Sequence, residues 1–103
     1  MRDFPLEREG SKVKVVVGAE LSAAIVPELR DLLWAIQEDG VTDLALDFSQ
    51  TTLLDAAGIV LLLAAHTSFV GGDRSMRMVA VPRNIFSLLE TLRLRERLGA
   101  EIG

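Results

Sequence analysis

Few side chains in this sequence could do chemistry. The 103 residues include no cysteine and one histidine, His66. These counts exclude disulfides and thiol catalysis, and they leave no set of zinc ligands. No serine has a sequence context that would activate it as a nucleophile, and no glycine-rich phosphate-binding loop occurs. We therefore expect no enzymatic activity, no cofactor and no metal site.

His66 lies at helical spacing from apolar neighbours. On a helical wheel it falls on one stripe with Ile59, Leu62 and Phe69. A lone histidine on an apolar face is usually a packed residue, so we expect a structural role rather than a catalytic or pH-sensing one.

The remaining chemistry is at Asp55, which directly precedes a long apolar segment. An aspartate at this position is a strong N-cap, because its carboxylate accepts hydrogen bonds from free amides of the first helical turn. Ala56, Ala57 and Gly58 follow, where the helix dipole is positive and small side chains let another surface approach. We interpret this turn as a docking surface. The alternative is that Asp55 is only a cap and the small residues only allow packing on a sheet.

Strand and helix patterns alternate along the chain and must position this turn. The helical patterns begin near Pro27, at Ala56 and near Pro82, and apolar stripes run along them. The strand patterns cover residues 4–9, 12–17, 41–48 and 76–81, with 100–102 as a candidate edge strand. Strands alternating with helices of this length predict parallel crossovers, with helices packed on a sheet. We expect one domain, residues 1–103.

Charge is unevenly distributed along the chain. Residues 1–73 carry five basic and twelve acidic side chains, whereas residues 74–103 carry six arginines and three acids. The net charge of −4 argues against a nucleic-acid partner. The basic end could meet an acidic protein surface or could be a solvated helix face. The charged N-terminus lacks an export signal and no apolar run could span a bilayer, so we expect a cytoplasmic protein without membrane insertion.

The capped turn and its flanks resemble the STAS domain of bacterial anti-sigma-factor antagonists. DFSQTTLLDAAGI, residues 47–59, is similar to the family hallmark D-L-S-x-V-x-x-(I/M)-D-S-S-G-L. GAELS, residues 18–22, resembles the family's G-x-L-D turn, with serine where aspartate is usual. The resemblance extends over essentially the whole chain. It implies an α/β fold, a small STAS-type domain whose mixed four- to five-stranded sheet has three to four helices mainly on one side.

The resemblance also implies a non-enzymatic module that binds a partner protein. In the best-understood branch the partner is an anti-sigma factor with a histidine-kinase-like ATPase fold, and its capture frees a sigma factor for transcription. That partner phosphorylates the second serine of D-S-S-G, which breaks the complex. Here Ala57 occupies the phosphoacceptor position and Ala56 precedes it. We therefore expect no regulation by phosphorylation at the usual site, with Ser49, Thr51 and Thr52 as candidate substitute acceptors.

The predicted partner-binding surface has Asp55, Ala56, Ala57 and Gly58 at its centre. Glu20 and Ser22 belong to it through the family's turn. Leu61 and Trp34 are candidate anchors, because each lies opposite the apolar stripe of its own helix on a helical wheel. Tryptophan is enriched among interface hot spots. The alternative for Trp34 is a ring that lies flat over neighbouring side-chain stems.

Other interpretations stay open. A STAS accessory subunit that binds the ATPase of a membrane lipid-transport system can also lack the second serine, although Ala56 stands where that branch often has threonine. A scaffold in a sensory complex is a third candidate. A small-molecule binder has the least support, because no convergent set of polar residues marks a pocket. An exposed edge strand at residues 4–9 could also pair two copies into a homodimer.

Overall fold

A five-stranded sheet forms the centre of the fold. The computed structural model describes residues 4–103. In chain order the elements are β1 (Leu6–Glu9), β2 (Lys12–Val16), β3 (Glu20–Leu21), α1 (Val26–Glu38), β4 (Asp43–Asp47), β5 (Leu53–Leu54), α2 (Ala56–Phe69), β6 (Ser75–Val81), α3 (Arg83–Thr91) and β7 (Ala100–Ile102). The five-stranded sheet has the order β1-β2-β4-β6-β7. The predicted α/β class is confirmed.

The sheet is mixed because its first two strands form a hairpin. β1 and β2 are antiparallel, whereas β2, β4, β6 and β7 pair in parallel. Each parallel connection passes through a helix, as the alternating pattern predicts. The turn between β1 and β2 contains Gly10, whose φ of 62° favours glycine.

The helices pack on one face of the sheet. The strand register aligns Val15, Leu46 and Met78 across β2, β4 and β6. All three side chains are fully buried, and they join buried helix residues such as Leu33 and Leu62 in one core. The alternating strand residues point to the other face.

That other face is charged and open to solvent. On it the Lys14 ammonium lies 3.8 Å from the Asp47 carboxylate, and the Arg77 guanidinium lies 3.3 Å from the Glu101 carboxylate. Exposed ion pairs of this kind contribute little to stability individually, about 0–1 kcal/mol. The charges therefore mark the solvated side of a sheet that has its core on one side only.

A second, two-stranded sheet was not predicted. β3 and β5 pair in parallel, with Glu20 opposite Leu53 and Leu21 opposite Leu54. Two residues are too short for any periodicity to show, so the sequence pattern predicted turns here. This small sheet joins the segment before α1 to the segment before α2.

The sequence predicts that Ile85, Leu88, Leu89 and Leu92 form the apolar stripe of α3, but this stripe is only partly buried. Ile85 and Leu89 are in the core, but Leu88 and Leu92 are 36% and 46% exposed. α3 ends at Thr91, so Leu92 lies beyond its last turn, and Leu88 lies at the margin of the buried stripe. Within residues 4–103, no helix is long and apolar enough to cross a membrane.

Neighbouring residues of α1 give a matched stability test. Leu33 is fully buried, whereas Trp34 is 37% exposed. Leu33→Ala should lower the free energy of unfolding by about 3 kcal/mol, because it leaves a cavity in the core. Trp34→Ala should lower it by only about 1 kcal/mol, because the lost side chain is partly solvated. Chemical denaturation measures both values, and equal losses would place Trp34 in the core.

Candidate functional site

The Asp55 carboxylate holds the start of α2 against a separate chain segment. Its Oδ1 accepts a hydrogen bond from the Gly58 amide at 2.9 Å, which is the predicted N-cap. Its Oδ2 accepts from the Ala23 amide at 3.1 Å, in the segment that precedes α1. The Asp55 amide donates in turn to the Leu21 carbonyl at 3.2 Å. One residue therefore caps the helix and connects it to the chain between β3 and α1.

These hydrogen bonds also determine the charge of Asp55. The amides of Gly58 and Ala23 lower the pKa of its carboxyl group below the ordinary value of 3.8, because they stabilise the ionised form. The carboxylate is thus negative at neutral pH, and both of its oxygens are engaged within the domain.

Gly58 lets α2 approach β3 closely. It is buried, and a Cβ atom placed on it would lie 2.5 Å from the Leu21 carbonyl oxygen and 2.9 Å from the Leu54 side chain. A Cβ atom essentially never makes contacts this short, so no larger residue fits without a shift of the backbone. Glycine is therefore required here for space.

The central residues of the predicted surface differ in accessibility. Ala56 is exposed, and Ala57 and Glu20 are half-buried. Ser22 is buried, and its carbonyl accepts the amides of Ile25 and Val26 at 2.9 Å, so it shapes the turn into α1.

The prediction that Leu61 faces solvent is wrong. Leu61 is 4% exposed, whereas its neighbour Val60 is 64% exposed. The reason is that α1 packs along the side of α2 that the helical wheel left free. A hydrogen bond of 2.8 Å between the Ser68 hydroxyl and the Gln37 Oε1 joins the two helices. The exposed aliphatic side chain beside the capped turn is Val60, which the sequence did not identify.

The structure brings Trp34 to the start of α2. Its indole lies on a groove of about 490 Å³ between α1 and α2, together with Ala56, Ala57 and Val60. The small residues of the turn and the tryptophan were predicted from different helices, and the structure places them on one surface. Whether a partner contacts them stays a prediction.

The candidate substitute phosphoacceptors differ in access. Thr51 is fully buried, and its hydroxyl donates to the Gly18 carbonyl at 2.6 Å, so a kinase could reach it only after the turn opened. Thr52 is exposed and donates to the Ala19 carbonyl at 3.2 Å. Ser49 is exposed, and its amide donates to the Asp47 carboxylate at 2.8 Å. Ser49 and Thr52 stay accessible candidates, and Thr51 is a structural residue.

His66 lies near the other end of α2, away from the capped turn. It is half-buried, and burial lowers the pKa of its imidazole below 6.5, with a further lowering by the positive charge of Arg97. The ring is therefore neutral at pH 7. Among residues 4–103, no group of three acidic or histidine side chains is arranged to hold a metal ion.

Comparison with known proteins identifies the family. Residues 4–100 match a family model described as "Mlab, STAS domain". The chain belongs to the STAS domain family. The resemblance found in the sequence is thereby confirmed, and the match covers the capped turn and all three helices of this STAS domain.

Relatives of this STAS domain have regulatory names. An anti-sigma-B factor antagonist of Staphylococcus aureus is 26% identical over 90 residues, which cover 87% of this chain and 83% of that protein. A protein of the same name from Staphylococcus epidermidis is 23% identical over 90 residues, with the same 87% and 83% coverage.

Solved structures share the fold. An anti-sigma factor antagonist from Mycobacterium paratuberculosis matches with a TM-score of 0.83 and 19% identity, over 95% of this chain and 83% of that one. The unphosphorylated form of the anti-sigma factor antagonist SpoIIAA matches with a TM-score of 0.69 and 19% identity, over 85% of this chain and 82% of that one. At these identities the likeness establishes the STAS fold.

Sequence reasoning missed the residues that support the site from β3 and from the segment that precedes α1. Ala23 donates to Asp55 through its backbone amide, which any residue type except proline could provide. The Leu21 carbonyl approaches Gly58 and accepts the Asp55 amide. These contacts involve backbone atoms, so no residue pattern indicates them.

Replacing Asp55 by asparagine should reduce the loss of stability in acid. The pKa of the Asp55 carboxyl group in the folded protein lies below its unfolded value near 3.8. The stability that the ionised carboxylate contributes is therefore present above pH 3.8 and is lost as the pH falls through the folded pKa. Asp55→Asn has no titrating group and a single side-chain oxygen for two amides. It should be less stable than wild type at pH 7, and the difference should shrink below pH 3.8. Urea unfolding between pH 7 and pH 2 measures this, and parallel profiles would contradict it.

Gly58→Ala tests the close approach of α2 to β3. Alanine improves helix propensity by about 1 kcal/mol, but the overpacking against the Leu21 carbonyl costs about 3 kcal/mol. The net expectation is a loss of about 2 kcal/mol in the free energy of unfolding. Ala56→Ser, which adds an atom at an exposed position of the same turn, is the control and should be nearly neutral. A stabilised Gly58→Ala protein would contradict the predicted clash.

Proposed function

We propose that this STAS domain is an anti-sigma factor antagonist, which binds an anti-sigma factor of histidine-kinase-like ATPase fold and thereby frees a sigma factor. The observation that carries the proposal is the start of α2, where Asp55 caps the helix and Gly58 packs it against β3. Relatives named anti-sigma-B factor antagonist, matched over 87% of this chain, support the same function.

Within the proposed surface, Asp55 and Ala57 have different roles. Both carboxylate oxygens of Asp55 are already hydrogen-bonded, so it positions the surface rather than contacting the partner. Ala56 and Ala57 let the partner approach the helix end closely, and the half-buried Glu20 provides a negative charge on β3, which pairs with β5 just before α2. Ser22 supports this surface through the turn that its carbonyl forms.

Binding should not be switched off by phosphorylation at position 57. Alanine has no oxygen to accept a phosphoryl group, and a phosphate would add about two negative charges at this helix end. We propose that complex formation depends on the amounts of the two proteins. Ser49 and Thr52 are the accessible residues of the turn at which another modification could act.

Three other partners are possible results of a binding experiment. They are the ATPase of a membrane lipid-transport system, a kinase of a sensory complex, and a second copy paired through β1. The edge strand β1 exposes Glu7, Arg8 and Glu9, and charges on an edge disfavour pairing of copies. These charges argue against the second copy, and the names of the relatives favour the anti-sigma factor, which is the partner to test first.

Variants at position 57 provide the test. Ala57→Glu should lower affinity for the purified anti-sigma factor at least about tenfold, or about 1.4 kcal/mol, because it places a charge at the centre of the contact. Ser87→Glu adds the same charge on an exposed position of α3 and should bind like wild type. Isothermal titration calorimetry measures both.

Wild type and an Ala57→Ser variant test the missing phosphosite. After incubation with the anti-sigma factor and ATP, intact-mass measurement should show no phosphate on wild type and one phosphate on Ala57→Ser. A phosphate on wild type would contradict unregulated binding and would direct attention to Ser49 and Thr52. Failure of wild type to bind the anti-sigma factor would contradict the proposed function itself.

A further inference from the structure

The groove between α1 and α2 has regular walls. One wall consists of Val26, Arg30 and Trp34 of α1, and the other includes Ala56, Val60 and Ala64 of α2; Ala57 and Leu61 line it as well. Residues spaced by four lie on one side of a helix, so each wall is a straight row about 12 Å long. We call this surface the α1–α2 groove.

Most of the α1–α2 groove is apolar although it is open to solvent. Val60 is 64% exposed and Trp34 is 37% exposed. From Ala56 to Phe69, α2 contains no Asp, Glu, Lys or Arg, and the pKa of its one histidine, His66, is lowered, so even its outward side is uncharged at pH 7. On α1, in contrast, the exposed residues outside the groove include Asp31 and Glu38. An apolar exposed surface bordered by charged residues is typical of a protein-binding site.

The dimensions of the groove fit one helix. An amphipathic helix in such a groove places apolar residues at spacings of three and four along one face. Two rows of about 12 Å offer contacts for two turns of that helix. The α2 wall carries alanines, which allow the backbone of an occupant to come close, and the α1 wall presents the partly exposed Trp34 side chain.

Arg30 determines the charge that the occupant must bring. It is the one charged residue among the eight that line the groove. Its guanidinium lies 3.8 Å from the Asp31 carboxylate, and both side chains are more than half exposed, at 56% and 79%. Residues adjacent in a helix do not face each other, and exposed pairs are weak. Arg30 can therefore pair with an acid of the occupant.

A second copy of this chain would fit less well. Docked through its own uncharged α2, a second copy would bring no acid except Asp55, whose two oxygens are already hydrogen-bonded. Arg30 would then remain without a new partner. The groove is also continuous with the proposed docking surface, because Ala56 and Ala57 belong to both. A segment of the same partner protein is the occupant that satisfies both the charge and the position.

We propose that the α1–α2 groove holds an amphipathic helix of the anti-sigma factor, with apolar side chains against Val60 and Trp34 and an acidic side chain paired with Arg30. This rests on the proposed function, whose docking surface it extends along the helices. The partner thus contacts the length of the groove as well as the start of α2.

Calorimetry with the purified anti-sigma factor tests the groove. Val60→Asp and Trp34→Ala should each weaken binding at least about tenfold, as buried anchors do. Arg30→Glu should weaken binding more than Arg30→Ala, and the gap should narrow as salt is raised. Leu92→Asp is the matched control, since it places the same charge on an exposed leucine that directly follows α3 and does not line the groove. This variant should retain wild-type affinity. Thermal unfolding verifies that each variant is folded.

The outcomes separate the two proposals. If wild type binds, Ala57→Glu loses affinity, and folded Val60→Asp and Trp34→Ala bind normally, the groove proposal is overturned and the antagonist function stands. If wild type does not bind the anti-sigma factor, both are overturned. If light scattering shows that wild type self-associates and Val60→Asp abolishes this while partner binding is unchanged, a second copy is the occupant and the groove proposal is overturned.

Discussion

The arrangement of the site depends on how the two oxygens of one carboxylate are shared between two chain segments. Asp55 accepts the Gly58 amide within α2 and the Ala23 amide before α1. Because these amides are separated by 35 residues, the interaction holds together parts of the chain that the main sheet does not join directly. The β3–β5 pair and the close approach of Gly58 to Leu21 strengthen the same connection. The helix end is therefore held in place by backbone contacts on two sides.

This arrangement leaves a surface with few polar groups free to bind a ligand. The groups that could recognise a charged ligand, the first amides of α2 and the Asp55 carboxylate, are in part already engaged inside the domain. Small and apolar side chains remain outside, and they continue along α2 to Val60 and across to Trp34. Such a surface suits a protein partner that brings shape and apolar area, whereas a small polar substrate would need convergent polar groups. Under the proposed function, affinity is set by packing and is not altered by a phosphate at position 57.

The one-sided core explains why much of the fold was predictable. β2, β4 and β6 alternate between core and solvent, so Val15, Leu46 and Met78 indicate both the strands and their buried face. The N-cap at Asp55 was predictable for a related reason, since an aspartate before an apolar run satisfies helix amides locally. Local sequence patterns were sufficient to predict an element wherever each of its faces contacts only solvent or only the core.

The sequence by itself determined the alternating strands and helices, the STAS resemblance and the start of α2. The tertiary structure decided what lies beside that start. The first ten residues of α2, 56–65, carry no polar side chain, so no residue type marks the solvent face there, and only the position of α1 shows that Leu61 is buried and Val60 is exposed. β3 and β5 are too short to have a period, and the Ala23 contact uses a backbone amide that carries no residue signature. Local propensity reports the environment of one element, whereas the groove arises where two elements separated in the chain pack together.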